Sequence, residues 1–98
     1  MTIGRSINGS SLTLLLEGRI DTNSAPLFEE AIFGALDGVN ELILDFEKID
    51  YISSAGLRVL LKAEKEMSRR GGMKLVRVGP SINDIFEVTG FCDFLTIE

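Results

Sequence analysis

The sequence predicts an α/β domain: a mixed β-sheet of four to five strands with three or more helices packed against it, in the order β-β-α-β-α-β-α-β. Three observations carry this. Short apolar runs of β-leaning composition alternate with stretches whose apolar residues recur at helical spacing. Turn signals separate them, at Asn8-Gly9, Asp37-Gly38, Gly71-Gly72 and Gly79-Pro80. Strands that alternate with helices require parallel βαβ crossovers, so the sheet is mixed.

The elements follow in order. Ile3 to Ile7, the Asn8-Gly9 turn and the run from Ser10 to Glu17 read as a hairpin, closed by Gly18-Arg19-Ile20-Asp21. Asn23 or Ser24 caps a first helix, with Pro26 tolerated in its first turn. Leu27, Phe28, Ala31, Ile32, Ala35 and Leu36 fall on one face, and Asp37-Gly38 ends the helix. Glu41-Leu42-Ile43-Leu44-Asp45-Phe46 is nearly continuous in apolar character, as expected of a central strand covered on both faces. A loop then leads through Ile52 to Ser53-Ser54, which open a second helix. Its apolar face is Gly56, Val59, Leu60, Ala63 and Met67, widened by Leu57 and Leu61; Gly71-Gly72 stops it. Lys74 to Val78 is a strand. Gly79-Pro80-Ser81 starts a short helix with Ile82, Ile85 and Phe86 inward and Gly90 at its end. Leu95-Thr96-Ile97 is expected to add a last short strand. Phe86, Phe91 and Phe94 are expected in the core, and Cys92 buried or half-buried.

Composition excludes several functions. The chain has 98 residues, the size of one domain, and no repeat or linker divides residues 1–98. Net charge is −5, the wrong sign for nucleic acid or for an anionic membrane surface. There is one Cys and no His, so neither an internal disulfide nor a Cys/His zinc site is expected, and the commonest general base is missing. Asp21, Asp45 and Asp50 sit near strand ends, but loop solvation explains them better than a metal site. No cofactor is implied. No apolar run reaches signal-peptide or transmembrane length, and a cytoplasmic setting is expected.

The segment that carries chemistry is Asp50-Tyr51-Ile52-Ser53-Ser54-Ala55-Gly56-Leu57, where a strand ends and a helix begins. The first N–H groups of a helix have no backbone partner, so a serine there is a natural cap. The same unpaired groups favour an anion, so a phosphate on Ser54 leaves the helix intact while altering the surface charge. Gly56 lacks a side chain, which would let a partner's backbone approach. Arg58, Lys62, Lys65 and Arg69 line one face of this helix, by default a solvated one and otherwise a docking stripe for an acidic partner.

Here the sequence resembles the STAS domain family. Gly18-Arg19-Ile20-Asp21 is similar to the family's Gly-x-Leu/Ile-Asp motif, and Leu42 to Leu61 resembles its strand, acidic loop and Asp-Ser-Ser/Ala-Gly-Leu phosphorylation motif. Gly79 to Ile82 and Ile85 to Phe91 resemble its closing helix. The resemblance spans almost the whole chain and implies the STAS fold. It also implies an anti-sigma factor antagonist, which binds an anti-sigma factor and so frees the sigma factor. Where that anti-sigma factor is a serine kinase, phosphorylation of the antagonist ends the contact. Matched position by position, the phosphoacceptor is Ser54. The motif's preceding Asp is Ser53 here, which leaves a second hydroxyl. Asp21, with Thr22 beside it, matches the acidic end of the second strand; Gly56 and Leu57 match the Gly-Leu that begins the helix; Arg58 stands where small residues are often found. The implied partner-binding set is thus Asp21, Thr22, Ser53, Ser54, Gly56, Leu57 and Arg58.

Two other readings compete. The same fold serves as a structural or regulatory subunit on another partner, such as a transporter ATPase, without phosphorylation. An enzyme with Ser54 as nucleophile lacks a histidine base, and Lys48 and Lys62 are the only lysines near it in sequence.

Overall fold

A computed structural model describes residues 1–98. It contains β1 (Thr2–Asn8), β2 (Ser11–Ile20), α1 (Ala25–Phe33), β3 (Glu41–Ile52), α2 (Ser54–Met67), β4 (Met73–Val76), α3 (Pro80–Thr89) and a 3₁₀ turn at Phe91–Asp93. The four strands lie in the order β1-β2-β3-β4. β1 and β2 form the expected antiparallel hairpin around Gly9, whose φ of +65° suits glycine. β2 with β3 and β3 with β4 are parallel, each joined through a helix.

Register places the core. Leu12 pairs with Leu42 and Leu14 with Leu44; these in turn face Met73 and Leu75. Their side chains share one side of the sheet and meet Phe28 and Ile32 of α1, Leu60 and Ala63 of α2, and Ile82 and Phe86 of α3 in one buried cluster. Phe46 packs edge-to-face on Phe86, with centroids 6.2 Å apart. The opposite side of the sheet carries Thr13, Leu15, Ile43, Lys74 and Val76, all partly or fully exposed. The expectation that β3 is covered on both faces is therefore corrected: all three helices use one face, because one apolar stripe per helix suffices to cover a four-stranded sheet.

β3 is longer than expected. The residues from Lys48 to Ile52, read as loop, continue the strand, because two register shifts against β2 each insert one extra residue. The shifts turn Ile49 and Ile52 inward behind Phe46.

Other corrections are local. α1 stops at Phe33, and the turn that follows brings Leu36 and Val39 into the core. Leu27 lies off the inner face and is 49% exposed. The segment at Leu95–Ile97 makes only an isolated bridge, Ile97 to Leu75, rather than a strand. Cys92 is exposed and Phe94 is 40% exposed, because the 3₁₀ turn rotates both outward while Leu95 takes the buried position.

Candidate functional site

The site is built where two parallel strands end side by side. Ile20, the last residue of β2, pairs with Ile52, the last of β3. The Ser53 amide donates to the Ile20 carbonyl at 2.8 Å. The loop from Asp21 to Ser24 and the start of α2 therefore share one rim. In parallel sheets the carboxyl ends of strands are where sites collect.

α2 packs tightly onto this rim through Gly56. A Cβ there would stand 2.6 Å from Ile20 Cγ2 and 2.8 Å from Ile52 Cγ1. Gly56 is buried. The glycine thus serves the helix-to-sheet contact from inside, and the expectation that it admits a partner's backbone is corrected: both β-branched neighbours already fill that space.

The two serines separate in role. Ser53 is the N-cap, extended at φ −93° and ψ 175°, and its hydroxyl accepts from the Gly56 amide at 3.4 Å. Ser54 is the first residue of α2 and is exposed. Its hydroxyl is not spent on capping. Leu57 is half-buried against the core, whereas Arg58 is exposed.

Asp21 organises the neighbouring loop. One carboxylate oxygen accepts from the Asn23 and Ser24 amides at 3.0 Å each. Ser24 returns the contact, accepting from the Asp21 amide at 2.9 Å and donating to the Arg19 carbonyl at 2.6 Å. Ser24 occupies the N-cap position of α1 without a side-chain cap bond, because its hydroxyl is committed to this turn. The Ser24 amide, foremost, holds the Asp21 carboxyl below its ordinary range against a smaller opposing effect of burial; the Ser24 hydroxyl, the Asn23 amide and Arg19 add to it. Thr22 is exposed beside it.

Sequence reasoning missed two further features. Arg19 and Tyr51 are paired across β2 and β3, and the guanidinium lies 4.4 Å from the Tyr51 ring centroid. Nothing in the sequence signals the pair, because the spacing of apolar residues around Tyr51 does not alternate as a strand's does. α1 and α2 also enclose an open groove of about 630 Å³, which starts at Thr22 and Ala55 and runs past Arg58 and Phe33 to Lys62. Lys62 Nζ bridges to Glu29 at 2.7 Å and sits 5.5 Å from the Phe33 ring. Of the basic stripe on α2, Lys62 and Arg69 are thus in ion pairs, Arg69 with Glu66 at 2.8 Å.

The aspartates do not converge. Asp21 and Asp50 line one shallow pocket beside the turn described above, whereas Asp45 is 4% exposed and bonded to Arg77 on the sheet's open side, so the three do not meet. No three Asp, Glu, Cys or His side chains approach one another as metal ligands would. No helix is long and apolar enough to cross a membrane.

A family model described as STAS domain matches residues 5–98. BtrV of Bordetella bronchiseptica, assigned as an anti-sigma factor antagonist, is 32% identical over 88 residues, which span 88% of this chain and 76% of that one. The anti-sigma-B factor antagonist of Bacillus subtilis is 26% identical over 92 residues, 93% of this chain and 84% of the relative. Among solved structures, the anti-sigma factor antagonist SpoIIAA in its unphosphorylated form superposes with a TM-score of 0.83 at 18% identity, covering 99% of this chain and 88% of that one. The phosphorylated form of SpoIIAA from Bacillus gives 0.76 at the same identity, with 99% and 91% covered.

Proposed function

The chain belongs to the STAS domain family, and from that premise we propose that it is an anti-sigma factor antagonist working in the cytoplasm. It binds an anti-sigma factor through the rim at Asp21, Thr22, Ser53, Ser54, Leu57 and Arg58, and so releases the sigma factor. The anti-sigma factor is a serine kinase, and phosphorylation of Ser54 ends the contact. The role is that of a binding module, not an enzyme.

The relatives named above support the antagonist role, since two of them carry that assignment. A fold neighbour solved in a phosphorylated form supports the switch. The observation that carries the assignment to Ser54 is the division between the serines: Ser53 caps α2, and Ser54 presents a free hydroxyl on the same rim.

Physics accounts for a switch at this position. A phosphate at the first turn of α2 gains roughly 0.3–1 kcal/mol from the helix dipole, so the fold tolerates it. That gain is the same with and without a partner. Inside a contact surface the phosphate loses hydration; each polar oxygen left unpaired there costs about 1–3 kcal/mol, and a charged one more, and a single basic side chain can meet at most two of its three oxygens. At about 1.4 kcal/mol per decade, the loss of affinity is tenfold to more than a hundredfold.

The test has two parts. The chain is used to capture its partner, which is identified by mass spectrometry and then titrated against the parent and Ser54→Asp. An anti-sigma factor that phosphorylates Ser54, and that binds Ser54→Asp at least tenfold more weakly, is the expected result. A transporter ATPase as the captured partner, a phosphate found only on another residue, or equal affinities would overturn the reading.

A further inference from the structure

We propose that Arg58 is the counter-ion of the phosphate on Ser54, holding it against the surface of α2. This rests on the reading of Ser54 above and adds the residue that manages its charge. Of the ten lysine and arginine side chains, only Arg5, Arg58 and Lys65 have no carboxylate oxygen within 4.0 Å. Only Arg58 lies within one turn of Ser54. Both residues are exposed.

Residues four apart on a helix are surface neighbours, with Cβ atoms about 5–6 Å apart. The order also favours the pair, because an anion placed four residues before a cation interacts better than the reverse. The guanidinium offers a planar fork that fits two phosphate oxygens, which a lysine does not. No carboxylate of the chain holds it in an ion pair; Glu29 and Glu30, the acidic residues of the same groove, both lie beyond 4.0 Å. The next cation along α2, Lys62, is already held by Glu29 at 2.7 Å.

A second effect follows from the groove between α1 and α2. Its lining includes Arg58 and Lys62, and with Lys62 paired to Glu29, Arg58 is the groove's free cation. Turned toward a phosphate on Ser54, it leaves the groove without one. A single modification then changes the docking rim in magnitude and in place: the net charge shifts by about −1.5 to −2, and the positive charge of Arg58 is redirected from the groove to the phosphate.

Phosphoserine installed at position 54 during synthesis gives uniformly modified protein with no kinase required. The phosphate is titrated by phosphorus NMR in the parent, Arg58→Gln and Arg58→Lys backgrounds. The parent is expected to show a second phosphate pKa lower than Arg58→Gln by about 0.3 unit or more. Arg58→Lys falls between, and the difference shrinks in high salt. Thermal unfolding gives a second readout: Arg58→Gln lowers the Tm of the phosphorylated protein and not that of the unmodified one. Coincident titration curves, or equal Tm changes in both forms, overturn the proposal. A kinase that fails to label Ser54 strikes the functional reading but leaves this test standing, so the two failures are told apart.

Discussion

Ser53 and Ser54 are adjacent, chemically identical and physically unlike. The hydroxyl of Ser53 satisfies an amide that the helix geometry leaves without a partner, whereas that of Ser54 faces solvent. Replacing Ser53 by Ala should therefore lower stability by about 0.5 kcal/mol, the low end for a cap because the bond is long. Ser54→Ala should stay within about 0.5 kcal/mol of the parent. Denaturant titration of both variants checks this, and equal losses would refute the assigned roles. Glu64, on α2, is the opposite case. Its Oε1 is buried without a hydrogen-bond partner, and burial raises its carboxyl above the ordinary range. A folded-state value above the unfolded one means that the native state binds the proton more tightly. Stability from this residue is therefore present below the ordinary carboxylate range and lost as pH rises through the raised value. Glu64→Gln should gain roughly 0.5 kcal/mol at pH 7, discounted for partial exposure, and the gain should vanish near pH 4. Chemical unfolding of both proteins at the two pH values measures it.

At the level of elements, the seat of α2 depends on a missing side chain. Gly56→Ala would force Ile20, Ile52 or the first turn of α2 to move, since the new carbon meets β-branched atoms closer than van der Waals contact allows. Overpacking of this kind costs about 1–3 kcal/mol. It should also weaken partner binding, because the turn that shifts is the one carrying Ser54; a Gly56→Ala variant with parental stability would show that the contact is looser than drawn. The same elements show what the sequence could reveal. The apolar face of α2, Gly56, Val59, Leu60, Ala63 and Met67, is legible residue by residue because 3.6-residue periodicity is uninterrupted there. The end of β3 is not. Its buried residues Phe46, Ile49 and Ile52 recur at every third position, a spacing that two extra residues impose on a strand and that alternation cannot reveal. The Arg19–Tyr51 pair depends on the same shifts and is equally illegible. The capping of α2 by Ser53 was open in the sequence, since either serine satisfies the same rule; only backbone geometry decides between them. The α1–α2 groove left no sequence signal, because it arises from the packing of two helices each of which is amphipathic for its own reasons.

Across the whole molecule, the one-sided arrangement of helices creates a problem on the bare face of the sheet, and Asp45 marks where it is met. Asp45 pairs in register with Leu15 and Val76, next to the first shift in β3, and its side chain belongs to the uncovered side. It is nevertheless 4% exposed, because Arg77 folds over it. Arg77 follows β4 directly and adopts a left-handed φ of +55°, an unusual state for a side chain with a Cβ. The Glu47 amide donates to the other carboxylate oxygen at 3.0 Å. The pair thus ties the shifted region of β3 to the connection that launches α3. Burial pushes the Asp45 carboxyl up, but the Arg77 hydrogen bond and the Glu47 amide outweigh it and hold the group below its ordinary range. A depressed value means stability that is present above the unfolded pKa and lost as pH falls through the folded one. Asp45→Asn should therefore cost about 1–3 kcal/mol at pH 7, and the gap to the parent should close below about pH 4. Arg77→Met should be worse than the double substitution Asp45→Asn/Arg77→Met, because it alone strands a buried carboxylate. Urea unfolding of the four proteins across that pH range completes the cycle. A gap that persists unchanged into acid, or strictly additive losses, would mean that the latch is held by packing rather than by charge.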